Sequence, residues 1–315
     1  MKKENIKATI KKFILPVFFL TLTVAVIFNY DFIITRVANL LENTPKIAIG
    51  ETNAYTKNYD FKFVQRSHDF RPFSRGELIN VFFSVINNGW ESFTFYCPSE
   101  YKECLSDVKE ISDDEVLLTH INNFAHPFNS FKSIETTFSE SGEINLRIHK
   151  LYTPAKIRQI NEHVNKVMEE VLRDDMSLER KIRALHDYML ENADYDKLYN
   201  PGRTDNINDS NTAYGVFFQG HGICSGFTDA MAIFLTRLNV KNFKIASENH
   251  VWNAVFINDR WLHLDATWNA PLNDAGQKTL WDRYFLITTE QLIKLNTTDS
   301  VDHNFDKTVY LEFRN

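Results

Sequence analysis

Apolar and polar positions recur along this chain with two different periods, and each change of period marks an element. The uncharged run Phe13 to Tyr30 follows Lys2, Lys3, Lys7, Lys11 and Lys12 and is nearly long enough to span a bilayer. Between Tyr59 and Ile148 the texture reads as mainly β. Leu78 to Ile86 is largely apolar and ends at the turn signal Asn87-Asn88-Gly89. Ser92 to Tyr96 alternates as a half-buried strand does, and Phe131 to Phe138 and Ile144 to Ile148 fit further strands around Ser139-Glu140-Ser141-Gly142. The period then lengthens. Thr153-Pro154 reads as an N-cap with proline at the first helical position, and Ile157, Ile160, Val164, Val167 and Val171 follow at helical spacing. A second helix starts at Ser177, with Leu178, Ile182, Leu185 and Met189 on one face. His186 borders that stripe and reads as a core histidine rather than a catalytic one.

The next stretch carries chemistry. Gly220-His221-Gly222-Ile223 leads into Cys224, and Ala230 to Leu235 is too long and too apolar for a surface loop. The spacing predicts a buried helix from about Cys224 to Asn239. The partial positive charge of a helix N-terminus favours a thiolate there. Two β-rich runs follow, Asn249 to Ile257 and Arg260 to Trp268, with Asn258-Asp259 between them as a two-residue hairpin turn. That turn sets Ile257 opposite Arg260 and Trp252 opposite Asp265. Alternation then puts His250 on the face of Asp265, as diagonal neighbours with Cα atoms roughly 7–8 Å apart. A carboxylate at that place orients an imidazole whose other nitrogen is left for a thiol. His263 shares the face of Asp265 and competes for the role of base. Residues two apart on one strand point in parallel, however, so their side chains do not meet easily.

Tyr214-Gly215-Val216, Gly222 to Phe227, His250-Val251-Trp252-Asn253 and His263 to Trp268 together resemble the transglutaminase-like superfamily. The resemblance covers roughly the second half of the chain. It implies a papain-like α+β core, in which a buried helix carrying the cysteine packs on an antiparallel sheet. Cys224 would be the nucleophile, His250 the base and Asp265 the third member. The resemblance selects His250 over His263. Gln219, just upstream, is a candidate second oxyanion donor, or else an ordinary polar loop residue.

Length and composition refine this picture. With 315 residues the chain has room for two domains, read as a small β-rich region (59–150) and a catalytic domain (151–290). A signal anchor (1–30), a juxtamembrane linker (31–58) and a C-terminal tail (291–315) complete the division. Net charge is −6 without a long basic block, which argues against nucleic acid as a partner. His221, Cys224, His250 and His263 lack the paired spacing of a zinc site, so neither metal nor cofactor is expected. Asp205-Asn206-Ile207-Asn208-Asp209 has isoleucine at a calcium-ligand position and no closing glutamate, and reads as a solvated loop. The lysines ahead of Phe13 should stay inside, placing the rest of the chain outside the cell membrane. In that compartment Cys97 and Cys104 are expected to pair, a bridge contributing about 2–3 kcal/mol.

The function expected is a membrane-anchored cysteine acyltransferase on protein or peptide amides, with an amine as possible acceptor. A cysteine peptidase or cell-wall amidase on the same three residues is the first alternative. A non-catalytic surface binding protein is the second.

Overall fold

Several of the helices begin where the sequence supplies a side-chain cap. In the computed structural model, which describes residues 47–139, 142–203, 206–269, 282–296 and 302–314, Ser74 accepts from Glu77 N and Glu77 accepts from Phe73 N at 2.6 Å. This reciprocal capping starts α1 (Arg75–Asn87). Leu78 to Ile86, read from its apolar run as part of a mainly β region, is therefore helical. A largely apolar run suits a mostly buried helix as well as a strand, and Leu78, Val81, Phe82, Phe83, Val85 and Ile86 are all fully buried.

The strands β1 (Ser92–Tyr96), β2 (Phe131–Phe138) and β3 (Glu143–Lys150) form an antiparallel sheet in the order β1-β3-β2. Helices α2 (Cys104–Asp113) and α3 (Glu115–Asn123) lie between β1 and β2 in sequence, so the region 59–150 is mixed α and β rather than β-rich. Cys97 and Cys104 are disulfide-bonded, tying the end of β1 to the first residue of α2.

Thr153 and Ser177 cap α4 (Pro154–Val171) and α5 (Leu178–Asn192), each through its side-chain oxygen. A two-residue parallel ladder joins β4 (Asp194–Tyr195) to β5 (His221–Gly222), directly before α6 (Cys224–Arg237). The second antiparallel sheet, β6 (Asn242–Ala246), β7 (Val251–Ile257) and β8 (Arg260–Leu264), has β7 at its centre. A last helix, α7, spans Thr289–Asn296.

Strand alternation gives that sheet two apolar faces. Val255, Ile257, Leu262 and Leu264 pack with residues of α4, α5 and α6. Phe243, Ile245, Trp252 and Ala254 face the other way, into a core shared with Phe61, Phe82 and Phe124. Leu292, Val309, Tyr310 and Phe313, from the stretch read as a tail, are buried in this second core. The run Phe13 to Tyr30, expected as a membrane anchor, lies outside the described residues. Among the described residues no helix is long and apolar enough to cross a membrane.

Candidate active site

The β7–β8 turn sets the geometry. Asn258 and Asp259 both have positive φ, 52° and 57°, as a tight two-residue hairpin turn requires. Ile257 pairs with Arg260 and Asn253 with Leu264, so the observed register is the one expected from a two-residue loop. His250 stands just before β7 and Asp265 just after β8. Their side chains meet, His250 Nε2 lying 2.6 Å from Asp265 Oδ2. His250 stacks on Trp252, with ring planes 15° apart.

Cys224 is the first residue of α6, and it is partly exposed. Its placement comes from the backbone around it. Gly220, at φ 68°, turns the chain into β5 in a left-handed conformation that glycine adopts without strain. Ile223 N donates to Ser210 O at 2.8 Å, and Ser225 Oγ donates to Asn211 O at 3.1 Å. A Cβ at Gly226 would stand 2.3 Å from Ser210 O, so the helix start seats on this loop only through glycine. Thr228 Oγ1 donates to Val251 O and Asn253 Nδ2 donates to Thr228 O, which laces α6 to β7. A buried ion pair, Lys244 Nζ to Asp229 Oδ1 at 2.8 Å, joins α6 to β6. The helix that opens at Cys224 and the strand that follows His250 are thus held together, which brings the sulfur close enough to His250 to act on it electrostatically.

Electrostatics follow from this placement. Burial disfavours the His250 imidazolium, but Asp265 and then Cys224 outweigh it and push its pKa up to about 10. Burial likewise disfavours the Asp265 carboxylate. Its interactions with His250 and His303 overcome that and hold it well below the usual carboxylate range. The set therefore favours a charged imidazolium between a carboxylate and the sulfur.

Residues 165–266 match the family model of the transglutaminase-like superfamily. This is a transglutaminase-like core. The matched segment contains Cys224, His250 and Asp265. Among solved structures, one described as a TGase aligns at 14% identity, covering 46% of each chain with a TM-score of 0.33. A candidate cysteine protease from Cytophaga hutchinsonii aligns at 15% identity over 47% of this chain and 65% of its own, with a TM-score of 0.28. This chain thus spans less than two thirds of the length of either structure. No curated protein matches the chain.

The other sequence candidates take separate places in the transglutaminase-like core. His263 accepts from Trp252 Nε1 at Nδ1 (3.0 Å) and has Thr289 Oγ1 3.1 Å from Nε2. Burial, with the nearby His303, lowers its pKa to about 3, so it is a neutral core group. His186 is buried, with Asp187 Oδ1 2.8 Å from Nδ1 and Asn269 Nδ2 3.1 Å from Nε2. Gln219 lies in a π-helical turn, Gly215–Gln219, and its Oε1 accepts from Asp209 N at 2.7 Å. That bond commits the carbonyl end and leaves the NH₂ group as the donor. Ile223, at the N-cap of α6, supplies no side-chain cap, so the first-turn amides are a second source of donors.

Two residues escaped the sequence reading. Tyr195, at the edge of β4, pairs with Gly222. Burial first, then the charges of Cys224, Asp302 and Asp196, raise the pKa of its phenol. His303 places Nε2 2.7 Å from Asp265 Oδ2, although 38 residues separate the two. No local pattern around Asp302-His303-Asn304 announces it. Ligand atoms of His250, Asp265 and His303 lie within 4.8 Å of one another. Donors about 2.0–2.2 Å from a tetrahedral zinc ion stand roughly 3.3 Å apart. The observed 2.6 and 2.7 Å are hydrogen-bond spacings instead.

Proposed function

We propose that this protein is a cysteine acyltransferase acting on protein or peptide amides. The observation that carries the reading is the His250–Asp265 pair at 2.6 Å, set beside the helix that opens at Cys224 by the hydrogen bonds lacing α6 to β7. In this reading the Cys224 thiolate attacks the amide carbonyl. The charge that develops on oxygen is met by amides at the start of α6, and the Gln219 NH₂ group is a candidate second donor. His250 gives its proton to the leaving nitrogen as the thioester forms. It then takes a proton from the second nucleophile, which releases the acyl group and restores the thiolate.

The acceptor we propose is a primary amine. Tyr195 pairs with Gly222, two residues before Cys224, and the negative charge that Asp196 and Asp302 bring to it attracts an alkylammonium, which attacks the thioester after losing one proton to solvent. Water as acceptor is the second reading, favoured by the partial exposure of Cys224. Glutamine-containing peptides incubated with a labelled primary amine should take up label faster than they are hydrolysed. Hydrolysis without incorporation at saturating amine would replace the transferase by an amidase or peptidase.

We also propose that the enzyme is anchored by Phe13 to Tyr30 with its remainder outside the cell. The lysines ahead of that run and the Cys97–Cys104 bridge support this topology. Cell fractionation should find the full-length chain in membranes, digestible by protease added to intact cells. A full-length chain that is protected from that protease would sink the topology.

A further inference from the structure

One oxygen of Asp265 is shared. Oδ2 lies 2.6 Å from His250 Nε2 and 2.7 Å from His303 Nε2, while Oδ1 accepts from Trp268 N at 3.1 Å. His303 is 2% exposed, and aromatic rings hold it on several sides. It stacks on Tyr284 with planes 18° apart, meets Trp252 edge-on at 4.9 Å, and stands nearly perpendicular to the His250 ring. The segment that carries it is anchored away from the site. Tyr310 OH accepts from Ala246 N at 2.8 Å and Asn123 Nδ2 at 3.0 Å, and Phe313 stacks on His263 with ring centroids 4.1 Å apart. His303 also lies outside the segment 165–266 that matches the superfamily.

We infer that His303 is a positioning residue that shares Asp265 Oδ2 with His250 and so weakens the carboxylate's hold on the His250 proton. This rests on the reading of Cys224 and His250 as nucleophile and base. A carboxylate with a single imidazole donor concentrates its charge on that donor and keeps the imidazolium from releasing its proton. A second N–H on the same oxygen takes up part of that charge. His250 then remains charged opposite the thiolate yet still gives its proton to a leaving nitrogen. Other titratable groups face this cluster: Cys224 from α6, Tyr195 from β4, His263 from β8, His186 from α5, and Asp302 beside His303. The second group on Asp265 Oδ2 is His303, at 2.7 Å.

The test is the pH dependence of Cys224 alkylation by iodoacetamide in the full chain, from acid to strongly alkaline pH. In the wild type an imidazolium–thiolate pair gives a plateau bounded by an acidic and an alkaline limb. His303→Phe keeps the ring volume and removes the donor, and should move the alkaline limb upward by about one pH unit. His303→Gln keeps an N–H donor near the same position and should leave that limb where the wild type has it. Circular dichroism establishes folding, and His303→Leu replaces the phenylalanine variant if that one does not fold. An unshifted limb in the folded donorless variant overturns the inference, as does an equal shift in the glutamine variant. A wild-type profile of an ordinary thiol, with no plateau, would instead overturn the Cys224–His250 reading itself.

Discussion

Cys224→Ala is expected to abolish amide turnover, a loss on the order of 10⁴-fold or more, with the fold unchanged. The sequence has three cysteines, and Cys97 and Cys104 are bridged to each other, so no other free thiol can substitute. The structural cost is small because Cys224 is partly exposed and its local geometry comes from the backbone. Ile223 N, Ser225 Oγ and Gly226 make the contacts that seat the helix, and none of them uses the sulfur. Initial rates on a glutamine-containing peptide, alongside circular dichroism, check both halves of this expectation. A folded alanine variant that retains wild-type turnover would remove Cys224 from the mechanism.

Asp265→Asn should lower kcat/KM by roughly 10²–10⁴-fold. The amide presents one acceptor and one NH₂ group where the carboxylate receives His250 and His303. With the NH₂ group at the Oδ2 position both imidazoles meet a donor with their own N–H, or change tautomer, whereas with it at the Oδ1 position it faces the Trp268 N–H instead. If His250 changes, its proton moves to the nitrogen facing Cys224, and it can no longer accept one from the thiol. The charge effect acts in the same direction. His250 has a folded-state pKa raised to about 10, above the ordinary 6.5. The stability this contributes is fully present below about pH 6.5 and is lost as pH rises through 10. Asp265 is depressed, so its contribution is present above its ordinary range and is lost as the solution is acidified. The asparagine variant should therefore lose thermal stability most between those limits, and its alkaline limb of Cys224 alkylation should move to lower pH. Activity within tenfold of wild type in a folded Asp265→Asn protein would exclude Asp265 as the third member.

These effects depend on a geometry that was partly legible in the chain. A turn of fixed length joins two strands of period two, and those facts alone determine which side chains share a face. His250 and Asp265 could be brought together on that basis without any knowledge of the rest of the molecule. The capped starts at Thr153 and Ser177 were legible for a similar reason, since a cap is a contact between residues three apart. The same signal was present at Ser74 and Glu77, where the apolar run that follows obscured it.

Local sequence, then, determined what depends on neighbours: the two periods, the helix opening at Cys224, the hairpin register and the pairing of His250 with Asp265. Tertiary structure decided what depends on distant partners. Leu78 to Ile86 has only Asn80 and Ser84 as polar positions to reveal its period, and burial of Leu78, Val81, Phe82, Phe83, Val85 and Ile86 in one core accommodates it as a helix. His263 and His250 are both histidines close to Asp265, and only Trp252 and Thr289 make the first a neutral core group. His303 reaches Asp265 because Tyr310 and Phe313 are buried against α3, β6 and His263, contacts that no spacing along the chain expresses. Hydrophobic burial is non-directional, so it draws the C-terminal segment into the core without leaving a periodic mark in the sequence.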